Sequence, residues 1–386
     1  MNPYDALWTF PAIILAAMLI AWGAESGQFY ISQGLALAVL AWVQTLPEFA
    51  VEAVIALTAA KDPSQLHLVT ANFTGSLRLF VGLGWPLVYL IAFFFRNKNV
   101  GAHGRAPIRG FWAIQMGDEQ SIAILTILPA ILYFLFIYFK GTLNVVDAVA
   151  LASIYFIYLG ILSRMPSQDK EAAEELDWIP RQVMKLRKPL NFMGIALFFI
   201  FGAMILWFTA HPFLDSMLAV AVSLGVSQFV FVQWFAPFLS EFPEQLSAYR
   251  WAASVTKAPM ALANFISSSI NQWTILVATV PFIYSLGMGH WAAIVFDEHQ
   301  KVEILLTIVQ SYLGFVFLFS MDFSFPEALG LFGLWVAQFF VPGIREEITY
   351  VYGVWAVLET LLLVKNFKKR NALHSFKVIA KKHLFK

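Results

Sequence analysis

Two short polar runs interrupt long apolar stretches of this chain, and each sets a carboxylate beside a proline. They are Gln44-Thr45-Leu46-Pro47-Glu48 and Ser240-Glu241-Phe242-Pro243-Glu244. Some twenty residues after each comes an asparagine with a hydroxyl four positions on, Asn72 with Ser76 and Asn264 with Ser268. The prolines stand 196 residues apart and the asparagines 192, in the same order. Proline lacks an amide hydrogen and displaces the carbonyl one turn earlier, so backbone oxygens near 43–45 and 239–241 are free to face a cavity. Residues four apart share a helix face, which aligns each asparagine with its serine. Carboxylate, carbonyl, amide and hydroxyl oxygens, with no sulfur and no imidazole, suit calcium, sodium or magnesium rather than zinc or copper.

The elements that must position these groups are set by composition. Of 386 residues 60% are hydrophobic, 16% aromatic and only 13% charged, about half the charge of a soluble domain. Mean hydropathy is +0.71. Windows such as 122–139 and 192–210 run the length of a bilayer core almost without charge. Soluble enzymes, nucleic-acid binders and secreted modules are excluded. Absent cysteine excludes disulfides, zinc–thiolate sites and iron–sulfur clusters. The first apolar segment has only Asp5 before it and no basic flank, so it reads as a permanent span rather than a cleaved signal.

Hydropathy predicts eleven spans: 6–24, 28–60, 66–95, 121–139, 143–162, 189–209, 214–256, 258–286, 302–320, 326–341 and 348–364. The fold class expected is an all-α integral membrane protein. Residues 1–162 form a first five-span repeat, 163–188 a charged cytoplasmic linker, 189–344 a second five-span repeat, and 345–386 an extra span with a basic cytoplasmic tail. Segments 96–119, 163–188 and 365–386 hold 18 of the 25 Lys and Arg. The positive-inside rule then places the N-terminus outside and the C-terminus in the cytoplasm. The cell membrane is the expected location. Five spans per half invert the second repeat against the first. Broken helices meeting at the midplane of inverted repeats are the layout of secondary transporters.

At these residues the chain resembles the cation/calcium exchanger superfamily, whose best-known members are sodium/calcium exchangers. In that family each of two inverted repeats carries a Thr-Ser-x-Pro-Glu-type segment followed by a Gly-Asn-x-x-Gly-Ser-Asn-type segment. The resemblance implies Glu48 and Glu244 as the central Ca2+ ligands. It implies Thr45, Ser76, Ser240 and Ser268 at flanking cation positions, with Gln44, Asn72, Glu241, Asn264 and Gln272 completing the oxygen set. It departs from the family in several places. Gln44 and Glu241 replace small hydroxyl residues, Phe80 and Gln272 stand where Asn or Asp is common, and Leu77 and Ser269 take the place of the asparagine after the serine. The implied function is secondary antiport of Ca2+ against Na+ by alternating access. Proton coupling on the same scaffold and a non-transporting derivative stand as alternatives. No cofactor is implied, since Ca2+ and Na+ or H+ are the cargo. The partners are lipid bilayer and inorganic cations, not nucleic acid, and no partner protein is named.

The remaining charges are weighed singly. Glu52 lies one turn beyond Glu48 and reads either as a vestibule ligand or as a partner of Arg78. Arg78 sits about 200° around the helix from Ser76, off the ligand face, and reads as half of a buried ion pair with Glu52 or Glu25. Glu327 follows Pro326 in a first helical turn, where the helix dipole favours an anion. Asp297-Glu298-His299 reads as a solvated external loop. No Walker-type glycine loop is present, so ATP is not the energy source, and a membrane enzyme would need a nucleophile or metal-ligand set that the sequence does not display.

Overall fold

A computed structural model describes residues 2–27, 29–30, 45–96, 112–165, 176–254, 257–365 and 371–383. The helices are α1 Ala6–Gly27, α2 Leu46–Lys61, α3 Leu66–Leu79, α4 Trp85–Phe95, α5 Ser121–Lys140, α6 Val145–Leu162, α7 Trp178–Met184 and α8 Leu190–Ser223. After them come α9 Gln228–Ser240, α10 Phe242–Ala253, α11 Ala258–Asn271, α12 Val277–Met288, α13 Glu298–Phe319, α14 Phe325–Phe340, α15 Arg345–Lys365 and α16 Ala372–His383. Seven helical stretches among the described residues are long and apolar enough to cross a membrane, with α14 a shorter apolar helix. Many of their large apolar side chains point outward, Trp207 at 82% exposure among them, as a lipid-facing surface requires.

One expected boundary is wrong. The break between 209 and 214 does not exist, because α8 runs unbroken for 34 residues through Pro212. Proline is tolerated inside membrane helices, where neighbours re-satisfy the freed carbonyl. The helix ends instead at Ser223, and Gly225 two residues on, with φ of +66°, supplies the left-handed residue that closes it. The amide of Val226 then reaches the Ala221 carbonyl at 2.9 Å.

The described chain divides into two compact units, each drawing on both sequence halves: residues 1–72 with 159–244, and 73–158 with 245–386. In the first, α1 and α8 run antiparallel. Thr9 Oγ1 and Ser216 Oγ lie 2.7 Å apart at one end, and Gly23 faces Phe199 at the other. Gly202 permits their close approach, since a Cβ there would stand 2.7 Å from Ile20 Cγ1 and 3.1 Å from the Ala16 carbonyl oxygen. Helices α2 and α9 pack on this pair and on each other.

In the second unit, α5 lies between α13 and α11, while α13 also packs on α15. Four short strands show how the halves are related: β1 Ala113–Gln115, β2 Thr142–Leu143, β3 Ile294–Val295 and β4 Asp322–Ser324. Strand β1 precedes α5 as β3 precedes α13, and β2 precedes α6 as β4 precedes α14. The antiparallel pairs are β1 with β4 and β2 with β3, with Ile114 opposite Phe323 and Leu143 opposite Ile294. Such cross-pairing is what a two-fold between the repeats demands. Gly141 and Met321, both with positive φ, open β2 and β4 at matching places. A reciprocal cap follows each. Asn144 and Asp147 bond each other's amides at the start of α6, as Ser324 and Glu327 do at α14. Glu327 thus sits in the first helical turn as its sequence context predicts.

The basic tail holds a helix that was not expected. Ala372, Ser375, Ile379 and Ala380 of α16 form a buried stripe, and Ser375 Oγ donates to Asp118 Oδ1 at 2.7 Å near the start of α5. Asp297 is no loose loop residue either, because its carboxylate caps α13 by accepting from the Gln300 amide at 2.7 Å.

Candidate cation-binding residues

The two Pro-Glu runs have one backbone form. Thr45, just before α2, has φ −87° and ψ 1°, and Glu241, just before α10, has φ −95° and ψ 0°. Each is followed by a helix whose second residue is the proline and whose third is the glutamate. Proline therefore does not kink a continuous helix here. It occupies the first turn of a new one, where its missing N–H would have no helical partner. In the second run the previous helix, α9, stops at Ser240, and the Glu241 amide closes it on the Pro237 carbonyl at 2.9 Å. Gln44 lies outside the described residues.

Within the first unit Thr45, Glu48, Glu52, Asn72, Ser240 and Glu241 are all buried, and Glu244 is half-buried. Asn72 Nδ2 donates to Glu52 Oε2, which ties α3 to α2. The other oxygens of that pair, Glu52 Oε1 and Asn72 Oδ1, are buried without a hydrogen-bond partner. Buried polar atoms are nearly always partnered. A carboxyl group withdrawn from water is stable either neutral or beside a cation. Chemically, this arrangement offers oxygens whose lone pairs can bind a proton or coordinate a metal ion. Ser240 Oγ donates to the carbonyls of Ala236 at 3.0 Å and Pro237 at 3.3 Å, which leaves its lone pairs available.

Within the second unit Asn264 and Ser268 on α11 and Gln272 just past its end follow one another at four-residue intervals, the serine and glutamine buried and the asparagine half-buried. Ser76, at the matching place on α3, is fully buried and its hydroxyl has no hydrogen-bond partner. Position 80 is filled by a ring. Phe80 lies 5.2 Å from Phe265, which in turn lies 6.0 Å from Tyr249. Ser269 Oγ is directed to the Phe265 carbonyl at 2.8 Å.

Both asparagine helices then widen. A π turn spans Phe80–Gly84 after α3 and another spans Gln272–Leu276 after α11, each starting eight residues past the asparagine. Such turns leave a carbonyl outside the regular ladder and concentrate at functional sites. Nothing in the composition of the two runs signals them.

Arg78 does form a buried ion pair, but its partner is Glu303 rather than Glu52 or Glu25. Glu303 also pairs with Arg345. Arg78 Nη1 donates to Gln338 Oε1 at 3.0 Å and its Nε to the Thr74 carbonyl at 3.3 Å. Gln310 Nε2 donates to the Arg78 carbonyl at 3.1 Å, and Gln338 Nε2 to Gln310 Oε1 at 3.1 Å. Glu303, Gln310, Gln338 and Arg345 were not foreseen. A lone glutamate near the start of an apolar helix and a lone arginine before the last span were the available signals.

The family model described as "Sodium/calcium exchanger protein" matches residues 6–164 and 194–342, about four fifths of the chain. No curated protein sequence matches it. Among solved structures, that of the H+/Ca2+ exchanger CAX is 28% identical, with 99% of this chain and 92% of that chain covered and a TM-score of 0.86. The sodium-calcium exchanger NCX_Mj soaked with 2.5 mM Na+ and 10 mM Sr2+ is 18% identical, with 87% and 97% covered and a TM-score of 0.55. The same exchanger soaked with 2.5 mM Na+ and 0.1 mM Ca2+ is 17% identical, with 88% and 99% covered and a TM-score of 0.56. At those identities the likeness to NCX_Mj is one of fold.

Proposed function

The chain belongs to the sodium/calcium exchanger protein family, a family of secondary transporters, and from that premise we propose that it exchanges Ca2+ for protons across the cell membrane. Glu48 and Glu244 are the central ligands. Two carboxylates offset the charge of one Ca2+, or each takes a proton, so the same groups can serve both ions in turn. Thr45, Asn72, Ser240 and Glu241 contribute further oxygens. Gln44, Ser76, Asn264, Ser268 and Gln272 keep their sequence-derived assignment as cation oxygens. Transport proceeds by alternating access and uses no ATP.

The observation that carries proton coupling is Phe80. A buried phenyl ring packed on Phe265 offers no oxygen where an added sodium position would need one. The likeness to the H+/Ca2+ exchanger CAX over nearly the whole chain supports the same reading. Sodium coupling is the second reading, favoured by the amide and hydroxyl series Asn264, Ser268 and Gln272. The cation-rich segments 96–119, 163–188 and 365–386 support a cytoplasmic C-terminus and an external N-terminus.

The test is calcium-45 uptake into proteoliposomes under an imposed proton or sodium gradient. A proton gradient alone is expected to drive uptake. Uptake driven by sodium alone would establish the second reading, and uptake driven by neither would overturn exchange.

A further inference from the structure

We infer that Arg78 is a positioning residue for Ser76, acting through a buried clamp that fixes the end of α3 to α13, α14 and α15. The inference rests on Ser76 serving as a cation oxygen. Arg78 is two residues past that serine and two before the π turn, so whatever holds Arg78 sets the place of both. Three groups hold it from three helices: Glu303 on α13, Gln338 on α14 and, through Glu303, Arg345 on α15. All are buried, Arg78 and Glu303 completely. The backbone is gripped as well, because Gln310 donates to the Arg78 carbonyl itself. Just beyond, a Cβ at Gly82 would lie 2.5 Å from Trp335 Cβ, and a Cβ at Gly314 would lie 2.7 Å from the Trp85 ring. Charge, amide and close packing thus converge on one short stretch, residues 78–85.

Simple stability does not account for this design. A buried ion pair returns little net stability over an apolar replacement, and in some proteins such groups instead specify a unique arrangement. The other repeat makes the point directly. The residue 192 positions after Arg78 is Ile270, fully buried, so an apolar side chain fills that place on the second asparagine helix. The clamp is an addition to the fold, and it sits where it can govern the hydroxyl of Ser76 and the turn at Phe80–Gly84.

The experiment compares Arg78→Met with Arg345→Met in the full-length protein. Either leaves Glu303 with one arginine, so neither strands a buried carboxylate. Calcium-45 uptake into proteoliposomes gives the half-saturating Ca2+ concentration and the maximum rate. Amide hydrogen exchange over residues 78–84 reads the anchoring without reference to transport. Arg78→Met is expected to raise half-saturation about tenfold, with a smaller change in maximum rate, and to speed exchange at 78–84. Arg345→Met is expected to leave half-saturation within about twofold of wild type. Arg78→Lys keeps the charge beside Glu303 and loses the planar fork, so it should rescue partially; it also serves if the methionine variant fails to insert. Unchanged half-saturation in Arg78→Met, or equal shifts in both methionine variants, would overturn the inference. Wild-type protein that moves no Ca2+ would overturn the exchange reading instead. Hydrogen exchange would then decide the clamp alone: faster exchange at 78–84 in Arg78→Met only would uphold the anchoring, and unchanged exchange would overturn it.

Discussion

Helices α3 and α11 each carry Asn-x-x-x-Ser and each passes into a π turn eight residues after its asparagine, at Phe80 and at Gln272. Their surroundings differ in kind. The end of α3 is held by Arg78, Glu303 and Gln338. The corresponding part of α11 is held by apolar packing around Ile270, by the contact of Phe134 with Trp273 at 4.4 Å, and by a hydroxyl bond between Tyr158 and Ser267 at 3.1 Å. Tyr158 and Gln338 occupy matching places near the ends of α6 and α14, and each reaches the asparagine helix of the opposite repeat. Duplication therefore repeats the backbone that places oxygens. The forces that hold each backbone in position are chosen separately in each half.

The largest expected effect tests whether the halves are equal at the carboxylates. Glu48→Gln and Glu244→Gln keep shape and remove a charge, and each should cut calcium-45 uptake by about a hundredfold, or ~2.7 kcal/mol, while the protein remains inserted. Near wild-type uptake in one variant alone would make that half dispensable and the two-carboxylate exchange wrong. Next comes the packing that only the first repeat requires. Gly82→Ala drives a methyl into Trp335 and should cost about 1–3 kcal/mol in thermal unfolding in detergent. Gly333→Ala, on the same helix as Trp335 with nothing within 4 Å, should instead be neutral or gain about 0.5–1 kcal/mol.

A subtler probe makes the halves more alike. Phe80→Asn sets an amide at the register of Gln272, and Ca2+ uptake, insensitive to sodium in the proton-coupled wild type, should change by about threefold across a sodium titration. An unaltered titration would mean that oxygens elsewhere determine coupling. The smallest effect is expected from Tyr158→Phe. Ser267 still donates to the Ala263 carbonyl at 2.9 Å, so only the tyrosine's donation is lost, about 0.5–1.5 kcal/mol of stability with transport retained. A larger loss would show that this bond does for α11 what the charged clamp does for α3.

Much of the arrangement was legible because its cause is local. Apolar length identified helices such as Ser121–Lys140 and Glu298–Phe319 almost to their ends. Pro-Glu twice over marked where two long apolar segments break, since proline lacks the amide a continuous helix needs. That each proline sits in the first turn of a helix was decided by the structure. The same local reading failed at Pro212, where neighbours rather than sequence decide whether a proline ends a helix. It also failed at α16, whose Ala, Ser and Ile stripe has meaning only against Asp118 and α5.

From sequence alone came membrane residence, the repeat and the carboxylates, because hydropathy, period and an acid in an apolar segment are properties of short stretches. Tertiary structure decided the rest. The partner of Arg78 lies 225 residues away, and nothing near the arginine names it. The pairing of β1 with β4 and of β2 with β3, and the ring of Phe80 against Phe265, each join segments far apart in the chain. A buried charge must find an opposite charge wherever the fold brings one, and that meeting is arranged by the packing of whole helices rather than by the residues beside it.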